Sequence, residues 1–166
     1  MKKLPLEGVR VIDLTVVFSG PFATWLLGIL GAEVITVDSI HHWPDMRRTF
    51  VMWPTEEMLE KGRDPKRYPN CEYGERPWNR SAFFNRVGWN KKSCCINLGD
   101  PKGKEVFKRL IKVSDVLIEN NSANAMDHLE LGPDVLMKVN PQLICINMPS
   151  YGRTGPYKDS RFPGFR

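Results

Sequence analysis

The side chains best suited to chemistry in this sequence are few, and their spacing rules out several kinds of site. Its four cysteines, Cys71, Cys94, Cys95 and Cys145, form no C-x-x-C pair and have no histidine at metal-ligand spacing. They are expected to be buried free thiols of a reducing compartment. Cys94 and Cys95, adjacent in a strand, should face opposite ways. His41 and His42 are paired, but no third ligand is spaced to join them, so an exposed turn is expected and a metal is not. The remaining candidates are loops. Thr15-Val-Val-Phe-Ser-Gly-Pro21 lies between a β-rich run and an apolar helix, where an α/β unit offers helix N–H groups to a ligand. It holds one glycine and lacks the G-x-G-x-x-G that brings backbone close to a pyrophosphate, which argues against NAD. Asn120-Asn-Ser-Ala-Asn-Ala-Met126 occupies the same place after a later strand and is a second candidate.

The elements that must position these loops alternate regularly. Val9, Val11, Ile12 and Leu14 give a strand. Pro21 suits the first position of a helix, and Phe22 to Leu30 is apolar almost all round, so burial on more than one face is expected. Gly31 can end that helix in a left-handed conformation, and Glu33 to Val37 begins the next strand, completing a right-handed βαβ unit. From about residue 39 to 83 periodicity is lost among Pro, Trp, Arg and Gly, with one short helix expected at Thr55 to Lys61; an excursion this long should pack over something. Ser81 to Asn90 reads as a turn or short helix and Lys91 to Leu98 as a strand. Asp100 is then an N-cap, with Pro101 first and Val106, Phe107, Leu110 and Ile111 on one face. Val113 to Glu119 is expected to be a central strand, Asp127 to Leu131 and Pro133 to Val139 short helices, and Leu143 to Met148 a buried strand. The pattern predicts an α/β, Rossmann-like domain with a mainly parallel sheet flanked by helices and a long irregular insertion.

At 166 residues a single domain is expected, and 42% hydrophobic with 26% charged residues is ordinary for a globular protein. The formal charge of +5 fits an anionic ligand. No RNP, zinc-finger or helix-turn-helix pattern points to nucleic acid. The longest apolar helix, Phe22 to Leu30, is far short of the roughly 20 residues that cross a bilayer, and no signal peptide precedes the first strand, so a cytoplasmic protein without membrane contact is expected. Phe162-Pro-Gly-Phe-Arg166 reads as a lead-in to a further element, which suggests a fragment.

Eight stretches in order carry a resemblance: Pro5-Leu-Glu-Gly-Val-Arg-Val-Ile-Asp-Leu-Thr15 through Gly20-Pro-Phe-Ala-Thr24 and Leu30-Gly-Ala-Glu-Val-Ile35, then Asn90-Lys-Lys-Ser93, Asp100-Pro-Lys-Gly-Lys104, Ser114-Asp-Val-Leu-Ile-Glu-Asn120, Asn140-Pro-Gln-Leu-Ile144 and Tyr151-Gly-Arg-Thr-Gly-Pro-Tyr157. Together they resemble the class III CoA-transferases, whose members include formyl-CoA, carnitine-CoA and bile-acid-CoA transferases and related acyl-CoA racemases. The resemblance implies that residues 1–166 are the N-terminal, CoA-binding part of a larger, homodimeric enzyme that moves CoA from an acyl-CoA to a carboxylic acid. In that family an aspartate attacks the thioester, and covalent intermediates divide one hard transfer into easier steps. The aspartate is expected beyond Arg166, with the second domain, so the chain alone is expected to be inactive.

By the same resemblance, CoA-contacting positions fall at Phe18 and Ser19; at Ile96, Asn97 and Leu98 beside the adenine; at Asn120, Asn121 and Ser122; and at Pro163 to Phe165. Ser39, Gly99 and His128 stand where some relatives place basic residues near the CoA phosphates, so Arg47, Arg48, Lys91 or Lys92 are the alternative phosphate contacts; each is otherwise a surface charge. Phe165 occupies the position at which racemases of the family carry an acid/base histidine, and phenylalanine cannot shuttle a proton, which favours transferase. A CoA- or nucleotide-binding module without catalysis, or a truncated remnant, is the alternative.

Overall fold

A computed structural model describes residues 3–39, 82–160 and the isolated positions 70, 72, 74, 75 and 80. The expectations for His41, His42, Arg47, Arg48, the Thr55–Lys61 helix, Cys71 and Pro163 to Phe165 lie outside the described residues.

The described chain runs β1 (Arg10–Asp13), α1 (Ser19–Ile29), β2 (Glu33–Asp38), α2 (Ala82–Gly88), β3 (Lys91–Cys95), α3 (Pro101–Lys112), β4 (Val116–Glu119), α4 (Ala125–His128), α5 (Pro133–Val139) and β5 (Ile144–Asn147). The five strands form one sheet in the order β3-β2-β1-β4-β5, and each neighbouring pair is parallel. The expected α/β fold with a parallel sheet is therefore present. The chain moves outward from β1 through β2 to β3, then crosses back to place β4 on the other side of β1. The reversal between β1 and β4 makes a switch point at the carboxyl ends of the strands.

Local chemistry explains the element ends. Gly31 takes a φ of 105° to close α1, where a side chain would strain the backbone. Asp100 caps α3 by accepting from the backbone N–H of Lys102 at 2.8 Å and of Gly103 at 3.3 Å, as the sequence predicts. Phe107 and Ile111 of α3 are fully buried, whereas Val106, expected on the same face, is exposed at its margin.

The two faces of the sheet are filled differently. On one, α3, α4 and α5 close a core of Ile12, Phe107, Ile111, Leu117, Leu131 and Leu136 with their neighbours. On the other, Val11, Ala32, Val34 and Ile118 make a small cluster with Leu27 of α1 packed on it. Here two expectations fail. α1 starts at Ser19 rather than Pro21, and it is not buried all round: Gly20, Pro21, Thr24 and Gly28 are buried while Leu26 and Ile29 are exposed. The sheet takes the side of α1 that carries small residues, and α2 packs on α1 without covering Leu26 and Ile29. Leu143 to Met148 is likewise not wholly buried. β5 is an edge strand, and Ile144 and Ile146 lie exposed on the face that α1 leaves open. Its neighbour β4 is interior, as expected. The thiols are less buried than expected, with Cys95 exposed and Cys94 and Cys145 intermediate.

Candidate functional site

The residues that follow β1, β2, β3 and β4 converge on a cleft of about 640 Å³ at the switch point, a size ordinary for a small-molecule site, which spans roughly 300–1,000 Å³. Leu14, Thr15 and Val16 come from the first strand end, Val37 to Ser39 from the second, Ile96 to Gly99 from the third and Asn121 and Ser122 from the fourth, with α4 supplying the far wall. Apolar floor and polar rim are thus built from segments far apart in sequence.

Beneath the β1 loop lies a closed polar network. Asp13 is buried, and its Oδ1 accepts from the backbone N–H of Thr15 at 2.9 Å and from the Thr15 hydroxyl. Its Oδ2 accepts from the Thr24 hydroxyl at 2.6 Å and from Lys91 Nζ at 2.9 Å. Lys91 also donates to Thr24 Oγ1 at 2.7 Å and to the Pro21 carbonyl at 2.9 Å, so all three of its protons are used. Burial holds the Lys91 ammonium below its ordinary pKa, against the opposing pull of Asp13. Gly20 completes the fit, because a Cβ there would lie 2.3 Å from the Cβ of Thr15. Both carboxylate oxygens of Asp13 are thus committed to holding the loop and α1 together.

Across the cleft, Glu119 is a second buried carboxylate. It accepts from the backbone N–H of Asn121 at 2.7 Å and from the Asn147 amide, which fixes the start of the β4 loop. Asn120 binds the backbone of Val16, its Oδ1 accepting from the N–H at 2.7 Å and its Nδ2 donating to the carbonyl at 2.8 Å. On the β3 loop, Asn97 accepts from Gly99 N–H at 3.0 Å, and α3 lies so close that a Cβ on Gly103 would sit 1.9 Å from the Asn97 carbonyl oxygen.

Of the expected contact residues, Ile96, Asn97, Leu98, Asn121 and Ser122 wall the cleft together. Asn120 stands behind it on Val16. Phe18 and Ser19 are exposed at the start of α1, with Phe18 stacked on Phe22 at 5.7 Å and under the Arg86 guanidinium. Ser39, Gly99 and His128 all lie on the cleft wall, and among the described residues no lysine or arginine does. The two described phosphate candidates are elsewhere. Lys91, expected at the surface, has a side chain only 6% exposed. Lys92 is exposed and paired with Glu33 at the amino end of β2. The buried network was not visible in the sequence, since nothing in the spacing of Asp13, Thr24 and Lys91 marks them as neighbours.

A parallel sheet with a cleft at its switch point places the chain in the class of α/β domains whose strand ends open into such a cleft. The sequence matches CoA-transferase family III over residues 6–165, and the chain belongs to that family. It is 37% identical over 162 residues to the succinyl-CoA–L-malate CoA-transferase beta subunit of Chloroflexus aurantiacus, covering 98% of this chain and 34% of the relative. To the mouse succinyl-CoA:glutarate CoA-transferase it is 37% identical over 152 residues, covering 92% of this chain and 30% of that one. The crystal structure of a CAIB/BAIF family protein from Brucella suis superimposes with a TM-score of 0.76 at 30% identity, covering 96% of this chain and 37% of that one. The chain thus spans about a third of the length of these relatives.

Proposed function

We propose that this chain holds the CoA part of an acyl-CoA in the switch-point cleft, as the N-terminal portion of an acyl-CoA:carboxylate CoA-transferase. The observation that carries the reading is the meeting of Ile96, Asn97, Leu98, Asn121 and Ser122, from two separate strand ends, on one cleft wall in a member of this family. Ile96 and Leu98 offer an apolar surface to an adenine ring, while the asparagine and serine side chains offer hydrogen bonds at the rim.

In the complete enzyme an aspartate outside residues 1–166 attacks the thioester carbonyl, the C–S bond breaks, and CoA leaves as thiolate from a mixed anhydride. The thiolate then attacks the aspartyl carbonyl, giving an enzyme thioester and releasing the donor acid. The acceptor carboxylate reverses the sequence and takes the CoA. Within this proposal the enzyme is a cytoplasmic homodimer, and Phe165 in place of a histidine sets transferase above racemase.

Thermal unfolding with CoA or NADH tests the binding. CoA at a hundred times its Kd should stabilise the chain by about 2.7 kcal/mol, with NADH giving no shift. Stabilisation by NADH and none by CoA would reject the assignment. An exchange assay with succinyl-CoA and a dicarboxylic acid should give no turnover by the 166-residue chain, and measurable exchange would place the nucleophile within it.

A further inference from the structure

The role that the resemblance gives Asn120, a contact to CoA, does not match where its side chain goes. The last backbone rung between β1 and β4 is Leu14 N–H to the Ile118 carbonyl at 2.9 Å. Beyond it the two chains part, and the next rung is made by the Asn120 amide, which takes both the N–H and the carbonyl of Val16. A carbonyl needs a donor and an N–H an acceptor, so this pairing fixes the orientation of the amide and engages one Nδ2 proton and one Oδ1 lone pair with Val16. Immediately after the clasp, Val17 has a φ of 65°. A β-branched residue in the left-handed region is a true outlier and persists only where its surroundings impose it. Two sets of contacts impose it: Asn120 grips Val16 on one side, and on the other the Thr15–Gly20 contact and the Asp13–Thr24–Lys91 network fix the loop's two ends.

We infer that Asn120 is a positioning residue: it extends the sheet by one side-chain rung, holds Val17 in the left-handed conformation, and so sets where Phe18 and Ser19 stand beside the cleft. The inference rests on the proposed CoA site for its functional consequence, but the clasp itself can be tested without any ligand.

The test uses Asn120→Ala, Val17→Gly and the double variant in the 166-residue chain. Amide hydrogen exchange of Val16 should quicken about tenfold or more in Asn120→Ala, as expected when a protecting hydrogen bond is lost, while Val11 and Ile12 keep their protection. Affinity for CoA should fall about tenfold, the scale of an unsupported left-handed residue. Glycine adopts positive φ freely, so Val17→Gly in the Asn120→Ala background should recover most of that affinity. Unchanged Val16 exchange in Asn120→Ala would overturn the clasp. An affinity loss that Val17→Gly does not repair would overturn the positioning role and make Asn120 a direct contact. If the native chain binds no CoA, the proposed site fails while Val16 exchange still decides the clasp. Should Asn120→Ala unfold, Val17→Gly alone decides: with the clasp intact it keeps Val16 protection and CoA affinity, and loss of either would mean that the Val17 side chain, not Asn120, sets the loop.

Discussion

The two faces of the sheet solve the same problem by different chemistry. The face under α3, α4 and α5 is dry, with Phe107, Ile111, Leu131 and Leu136 all fully buried. The face under α1 has few large apolar residues to spend, and its upper part is occupied by Asp13, Thr24 and Lys91. Alternation along β1 divides the two, since Ile12 points into the first and Val11 and Asp13 into the second. The difference teaches that rigidity under the cleft does not come from apolar packing on both sides. One side is held by excluded water, the other by a hydrogen-bonded charge pair whose members fail together.

Breaking the dry face should cost most. Phe107→Ala removes a fully buried aromatic ring from the larger core and should lower stability by about 3–5 kcal/mol, read from urea unfolding; a loss below about 1 kcal/mol would mean that the core collapses to fill the gap. On the polar face, Lys91→Met leaves the Asp13 carboxylate buried without its cation and should cost about 3 kcal/mol. Adding Asp13→Asn to Lys91→Met should return part of that loss, and a double variant as unstable as the sum of the singles would show that the pair is not coupled. The smallest effect sharpens the contrast, because it belongs to neither core. Lys92 and Arg10 donate to Glu33 and hold its carboxyl below the ordinary 4.5. A depressed folded pKa means that this contribution is present above the unfolded value and is lost as pH falls through the folded one. The difference in melting temperature between the native chain and Glu33→Gln should therefore be full at pH 7 and shrink as pH falls below the ordinary 4.5. A difference that does not change with pH would assign it to packing.

Much of this was legible in the sequence for a simple reason. The succession of elements and the helix caps depend on local pattern, so Asp100 at the start of α3 and the run of apolar strands announce themselves. The cleft residues after β3 and β4 were found through family resemblance, and the structure brings Ile96 to Leu98 together with Asn121 and Ser122. What local pattern could not carry was the partner of each polar side chain. Lys91 looks like any strand-flanking lysine until Asp13, 78 residues earlier, is placed against it. Asn120 looks like a loop ligand until Val16 is seen in its grip. The burial of α1 was misjudged because hydrophobicity reports what a helix can bury, while the neighbours decide how much it does.

β5 carries a further consequence for handling the protein. It is the outermost strand beside β4, and its sequence Ile144-Cys-Ile-Asn147 has no charge. The opposite margin of the sheet, β3, carries the exposed cation of Lys92. Among the described residues no strand pairs with its outer side, and an uncharged rim of that kind is a template for any extended chain that meets it. Association in concentrated samples is accordingly expected to begin along the Ile144–Ile146 margin.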